Sequence, residues 1–225
     1  MVRKITKTVA TASNPRKATR GSADLSASQF VTAVRSVLPA SRSLLKFNGH
    51  VHLVSGKGRV MVEATGPAVL MRCTLPAATR GTMSVSVPVR FLNPVLTMLT
   101  TDWNPPASKN AILAGADPLI LKQGEGGWLW SCGPNSGRLP GADLLWPDTD
   151  RILAGIVEKP CSPTALDPAL LETVTKAAKV FRTKHPLALR IRTGKAELEH
   201  TTFKIQSCEG HPGMEWTCIM MPVRI

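Results

Sequence analysis

Apolar positions along this chain of 225 residues change period in a repeating order. Phe30, Val31, Val34, Val37 and Leu38 recur at helical spacing behind two capping candidates, Ser26 and Ser28, and Pro39 stops the run. Residues 44–54 and 59–63 then read as strands joined by Gly56-Lys57-Gly58, a hairpin signal, and a third strand at about 69–75 follows Gly66-Pro67. The order returns with a strand at 82–87. A helix after Pro88 buries Leu92, Val95, Leu96 and Leu99, and tolerates Pro94 only near its first turn. Strands at 111–114, 118–122 and 127–132 complete this second pass, with Trp128 and Trp130 on one face of the last, as core or interface residues.

A third pass opens with a strand candidate at 151–157. Asp167 caps the next helix, Pro168 occupies its first turn, and Leu171, Val174, Ala178 and Phe181 form its apolar stripe. Strands at 187–191, 196–203 and 215–221 close the pass. The chain thus shows three successive strand-helix-strand-strand-strand units of about 60 to 75 residues, although the first lacks an obvious opening strand. The final strand places Cys218 and Met220 on one side and Thr217, Ile219 and Met221 on the other. Pro222 withholds a ladder donor, so the last residues are expected to peel off a sheet edge. This segment reads either as a strand that finishes a core or as an apolar surface peptide whose methionines repack around partners.

Composition adds a polyanion partner to this picture. Hydrophobic residues at 43% and charged residues at 19% are globular values, and net charge is +13. Residues 1–23 hold Arg3, Lys4, Lys7, Arg16, Lys17 and Arg20 without one acid and without periodicity, and read as a disordered basic arm. A transit peptide or a plain solubilising tail would share that composition. Aromatics make up only 4% and tyrosine is absent, which disfavours a base-stacking surface and favours phosphate contact without base reading. No apolar run is long enough for a membrane span. The five cysteines, without C-x-x-C, suggest neither a zinc site nor a disulfide framework, and suit a reducing cytoplasm.

Enzyme signatures are poor. Gly-Lys-Gly lacks phosphate-loop spacing, and residues 133–137 lack nucleophile-elbow spacing and read as a turn. Asp148-Thr149-Asp150 has a D-x-D spacing that can hold a hard cation, but capping of the next element explains it more simply. His50 and His52 can share a strand face, with no third ligand nearby. No cofactor or metal is expected.

Three stretches carry a family resemblance. Ile219-Met220-Met221-Pro222-Val223-Arg224-Ile225 resembles the carboxyl end of the bacterial sliding clamp, the beta subunit of DNA polymerase III. Ser86-Val87-Pro88-Val89-Arg90-Phe91-Leu92 resembles the strand-to-helix entry within a clamp domain, and Leu145-Trp146-Pro147-Asp148-Thr149-Asp150-Arg151-Ile152-Leu153 the segment that hands one clamp domain to the next. The resemblance covers about residues 24–225, in family order. It implies an α+β fold of antiparallel sheets backed by helices, a clamp-like domain over 24–147 and a half-domain over 148–225. It implies a non-enzymatic tether that recruits a polymerase or other factor carrying a clamp-binding motif to duplex DNA, with a clamp loader as a further possible partner. A clamp-derived regulator that binds DNA or a replication protein without encircling anything is the alternative.

The helices would then meet DNA phosphates. Lys176, Lys179 and Arg182 lie on or beyond the third helix, and Arg35 and Arg90 occupy comparable places in the first two. By position, the resemblance assigns a peptide pocket to Ile219, Met221, Pro222, Val223 and Arg224, with Thr65, Leu70, Ile152 and Leu153. Val223 replaces the family's usual second Met, Ala154 stands where a Pro is usual, and residues 66–69 replace a polar run. A half-domain leaves strand edges unpaired, so a homo-oligomer is expected, against a compact monomer in which the third unit folds back.

Overall fold

The computed structural model describes residues 21–42, 49–66, 68–101, 118–154, 158–159, 167–181, 190–194, 200–208 and 211–220. The first unit has an opening strand after all. β1 (Ser22–Ser26) begins inside the stretch assigned to the basic arm. Only Ala23 and Leu25 of its five residues face inward, too short an alternation to stand out in sequence. Ser26 ends the strand and caps α1 (Ala27–Val37), its hydroxyl accepting from the Gln29 amide at 3.4 Å. β2 (His50–Gly56) and β3 (Arg59–Thr65) follow, joined by Lys57 and Gly58, both at positive φ, as a two-residue hairpin turn requires. β4 (Val69–Pro76) and a short β5 (Ala78–Arg80), which the apolar pattern did not reveal, complete this part.

The second unit runs β6 (Met83–Pro88), α2 (Val89–Thr101), β7 (Pro118–Gly124), β8 (Gly127–Cys132) and β9 (Asn135–Pro140). β9 corrects the reading of 133–137 as a turn alone. It is an edge strand with a single buried side chain, Leu139, so it lacks the apolar alternation that marks a strand. Its Gly137 lies against the Trp130 indole, where a Cβ would come within 2.8 Å of Nε1. Pro94 lies in the second turn of α2, not the first, on the exposed side. The candidate strand 111–114 lies outside the described residues.

A helix, α3 (Thr149–Ala154), stands over 151–154, the described part of the strand expected at 151–157, since the Asp148 carboxylate accepts the Arg151 amide at 3.0 Å and starts a helical turn. The third unit contains β10 (Glu158–Lys159), α4 (Pro168–Ala178), β11 (Arg190–Gly194), β12 (His200–Cys208) and β13 (His211–Met220). Asp167 caps α4 through the Ala169 amide as expected, whereas Leu171 is exposed and only Val174, Ala178 and Phe181 of the expected stripe are buried.

Two antiparallel sheets result. One has the order β5-β1-β7-β8-β9 and the other β10-β11-β12-β13-β4-β3-β2-β6. The first two units exchange their opening strands: β1 pairs with β7, and β6 with β2. β10 instead stays with its own unit, on β11. The final strand is not at an edge. β13 lies between β12 and β4, with Cys218 opposite Met71 and Ile219 opposite Leu70. The third unit therefore closes onto the first within one chain. Trp216 is buried, its indole N–H donating to the Ser36 carbonyl of α1 at 3.3 Å, and Gln29 of α1 donates to the Pro212 carbonyl at 3.1 Å. One contiguous core contains Phe30, Leu53, Met71, Trp128, Phe181 and Trp216.

Candidate peptide pocket and DNA-facing helices

Alternation along the strands divides the larger sheet into two faces. Ala64, Met71 and Cys218 point into the core beneath α1, and Thr65, Leu70 and Ile219 point to the outer face. Register makes these three a row, Thr65 opposite Leu70 and Leu70 opposite Ile219. Leu70 and Ile219 are buried, yet neither belongs to the contiguous core; they form a separate apolar strip outside it.

The next row, Glu63 opposite Arg72, carries a buried charge network that anchors the junction. Arg72 Nε meets Glu63 Oε1 at 2.5 Å, and Arg72 also donates to the Thr149 hydroxyl at 2.5 Å and contacts Asp150 Oδ1 at 2.6 Å. Thr149 donates to Glu63 Oε1 at 2.7 Å, and the Trp146 indole N–H donates to Oε2 at 3.1 Å. A carboxylate in so dry a place is stable only because every oxygen is met by a donor. The network ties α3 to β3 and β4, and so carries Ile152 and Leu153 to the outer face. Ile152 is 46% exposed, well placed to meet something from solvent.

Beside the network, the 144–150 stretch roofs a cleft of about 320 Å³ over β2, β3 and β6. His52 stacks on Trp146 with centroids 4.9 Å apart and planes within 9°. Its Nδ1 lies 3.0 Å from the Ser86 hydroxyl and its Nε2 3.3 Å from that of Ser84. Burial pushes the His52 pKa down to about 4, so the ring is neutral at pH 7. Asp148 caps the helix and Asp150 meets Arg72, each through one carboxylate oxygen.

The sequence missed the network, although a signal existed. A hairpin that pairs Thr65 with Leu70 must also pair Glu63 with Arg72, two charged residues within otherwise apolar strands. Of the residues expected to form a peptide pocket, Thr65, Leu70, Ile152, Leu153 and Ile219 are among the described residues, and Met221, Pro222, Val223 and Arg224 lie outside them.

On the opposite side, α1 packs between α2 and α4. Arg35, Arg90, Lys176 and Lys179 are all exposed. The first two do not occupy comparable places: Arg35 is in the last turn of α1 and Arg90 near the start of α2, over the Phe91 ring at 4.9 Å. Lys176 is 2.8 Å from Glu172 one turn earlier, and this contact lowers the Glu172 pKa. Outside Arg90, the exposed face of α2 carries Phe91, Pro94 and Met98. Arg3, Lys4, Lys7, Arg16, Lys17, Arg20 and Arg182 lie outside the described residues.

This pairing of interlocked antiparallel sheets with a row of helices is the fold of the DNA sliding clamp. The sliding clamp of Bacillus subtilis is similar over 92% of this chain, with 10% identity and a TM-score of 0.59. The DNA polymerase III beta subunit of Pseudomonas aeruginosa is similar over 91%, with 10% identity and a TM-score of 0.60, and that of Thermotoga maritima over 91%, with 10% identity and a TM-score of 0.58. The chain spans 65 to 66% of the length of these clamp chains. No family model and no curated protein matches it. Among the described residues no helix is long and apolar enough to cross a membrane.

Proposed function

We propose that the protein is a non-enzymatic, clamp-like tether that holds a polymerase or another factor with a clamp-binding motif on duplex DNA. One observation carries this reading: within a clamp fold, Thr65, Leu70 and Ile219 stand in register on the outer face beside a helix that presents Ile152 and Leu153. That is a strip fit for a short apolar peptide, on the side away from α1, α2 and α4. On this reading residues 24–147 act as one clamp domain and 148–225 as half of another, several copies complete a ring, and a loader opens it. The partner peptide contains a short Gln-Leu-x-Leu-Phe-like motif. Calorimetry with such a peptide tests the reading. Binding by the native chain and its loss in Met221→Ala with Val223→Ala, with thermal unfolding unchanged, supports it; equal affinity in the double variant counts against it.

The second reading, a regulator that does not encircle DNA, draws on α2. Its exposed residues after Arg90 are Phe91, Asn93, Pro94, Thr97 and Met98, apolar or uncharged where a phosphate-facing helix would carry cations.

A further inference from the structure

The roofed cleft is an acidic site on a strongly basic protein. Its lining includes Glu63, Asp148 and Asp150 against one cation, Arg72, a net of −2 where the whole chain carries +13. His52, kept neutral by burial, adds no charge. The walls are apolar: Val54, Met61 and Leu144 line the cleft, and Leu145 on its rim is 93% exposed. Asp148 and Asp150 are exposed, and each carboxylate has acceptor capacity beyond the single contact described for it above. An anion is repelled here. A metal ion finds Glu63 already occupied by Arg72, Thr149 and Trp146. What fits is an apolar side chain flanked by cations.

The chain contains such a segment next door. Lys4-Ile5-Thr6-Lys7-Thr8-Val9 alternates cations with branched apolar residues inside an acid-free stretch. The arm joins the fold at Gly21, whose amide faces the Gln123 side chain and whose Cα rests so closely on the Met83 side chain that a Cβ has no room. Met83 faces the core and the next residue, Ser84, lines the cleft on the other face of β6, so the arm reaches the cleft around this end strand of the sheet. Eleven residues separate Val9 from Gly21, and the twelve steps extend to about 40 Å, long against the roughly 10 Å from one face of a sheet to the next layer. Tethering raises the local concentration of such a segment to the order of millimolar, so a weak contact is well populated.

We propose that the basic arm docks in this cleft of its own chain, with Ile5 or Val9 among Val54, Met61, Leu144 and Leu145, and Lys4 and Lys7 on Asp148 and Asp150. The contact is autoinhibitory, since an arm held there is withheld from phosphate and its cleft is closed to other basic, apolar segments.

Carbodiimide coupling of the full-length chain, which joins lysine amines to carboxylates in contact, followed by peptide mass mapping, tests this without DNA or partner peptide. The result therefore stands apart from the fate of the tether reading. The expected products link Lys4 or Lys7 to Asp148 or Asp150 within the 24.2 kDa species. They fall several-fold at about 1 M salt, where screening acts over about 3 Å, and also in Leu145→Ser, whose exposed position leaves the fold intact. Arm lysines that couple as often to exposed Glu125, Glu172 and Glu215 would overturn the proposal. So would links found only in species of twice the mass, or links indifferent to Leu145→Ser.

Discussion

Arg72 shows how one side chain holds the candidate site together. It is mostly buried, and among the described residues it is the sole guanidinium meeting Glu63, which is 1% exposed. Removing it strands a carboxylate in a dry site, so Arg72→Ala is expected to cost about 3–5 kcal/mol. Asp150→Asn, at a side chain 73% exposed, should cost less than about 1 kcal/mol. Urea unfolding of both variants checks the contrast. His52 makes stability depend on pH with a definite sign. Its pKa is about 4 in the folded chain against 6.5 for the free side chain, so the unfolded state takes up the proton first as pH falls. The contribution is full above pH 6.5 and is lost as pH falls through about 4. His52→Gln should flatten the melting temperature across that window. Burial also pushes the Cys218 thiol up. Alkylation of the native chain should therefore reach half-buried Cys132 while sparing Cys73 and Cys218.

Among the elements, β13 decides whether the third unit is an appendage or part of the fold. It bonds on both sides, to β12 and β4, and its Trp216 packs against Phe181 with ring centroids 6.2 Å apart. Trp216→Ala should cost about 3–5 kcal/mol and unfold the chain in one transition with the first unit, followed by circular dichroism. An early, separate transition would show that the third unit stands alone. Helices with repeated apolar positions were readable from sequence: α1, α2 and α4 lie where periodicity places them, although Leu171 of the α4 stripe is exposed. Elements with few inward residues were not. β1 buries two side chains, β9 one, and α3 is short and begins from an aspartate cap rather than an apolar stripe. The position of β13 was also illegible, because an apolar strand ending in Met-Pro looks alike at an edge and beneath a neighbour. The pocket residues came from family likeness, whereas Glu63 and Arg72 needed strand register.

For the whole molecule, charge and strand edges set the expectations. Net charge is +13, but the described helices present few cations and Lys176 is already engaged by Glu172. Binding to duplex DNA should then depend chiefly on the arm, with the logarithm of affinity falling against that of salt by about 0.9 per phosphate neutralised. Deleting residues 1–20 should flatten that slope more than Lys176→Glu with Lys179→Glu does. The closure of β13 onto β4 removes one reason to expect an oligomer, since this apolar strand already has its cover. Among the described residues the sheets end at β9, β5, β10 and β6, the last met only by a bridge from Ala142, and three units per chain make four chains a match to a ring of twelve. Sedimentation at micromolar concentration is expected to find more than the 24.2 kDa monomer.

The central claim is that the clamp fold works here as a clamp. Protein bound to nicked circular duplex DNA is passed through a gel-filtration column before and after the DNA is cut once. The account expects protein to travel with the circle and to be lost from the linear form of equal length. Equal retention on both, or none on the circle, would contradict encirclement and leave the regulator reading in its place.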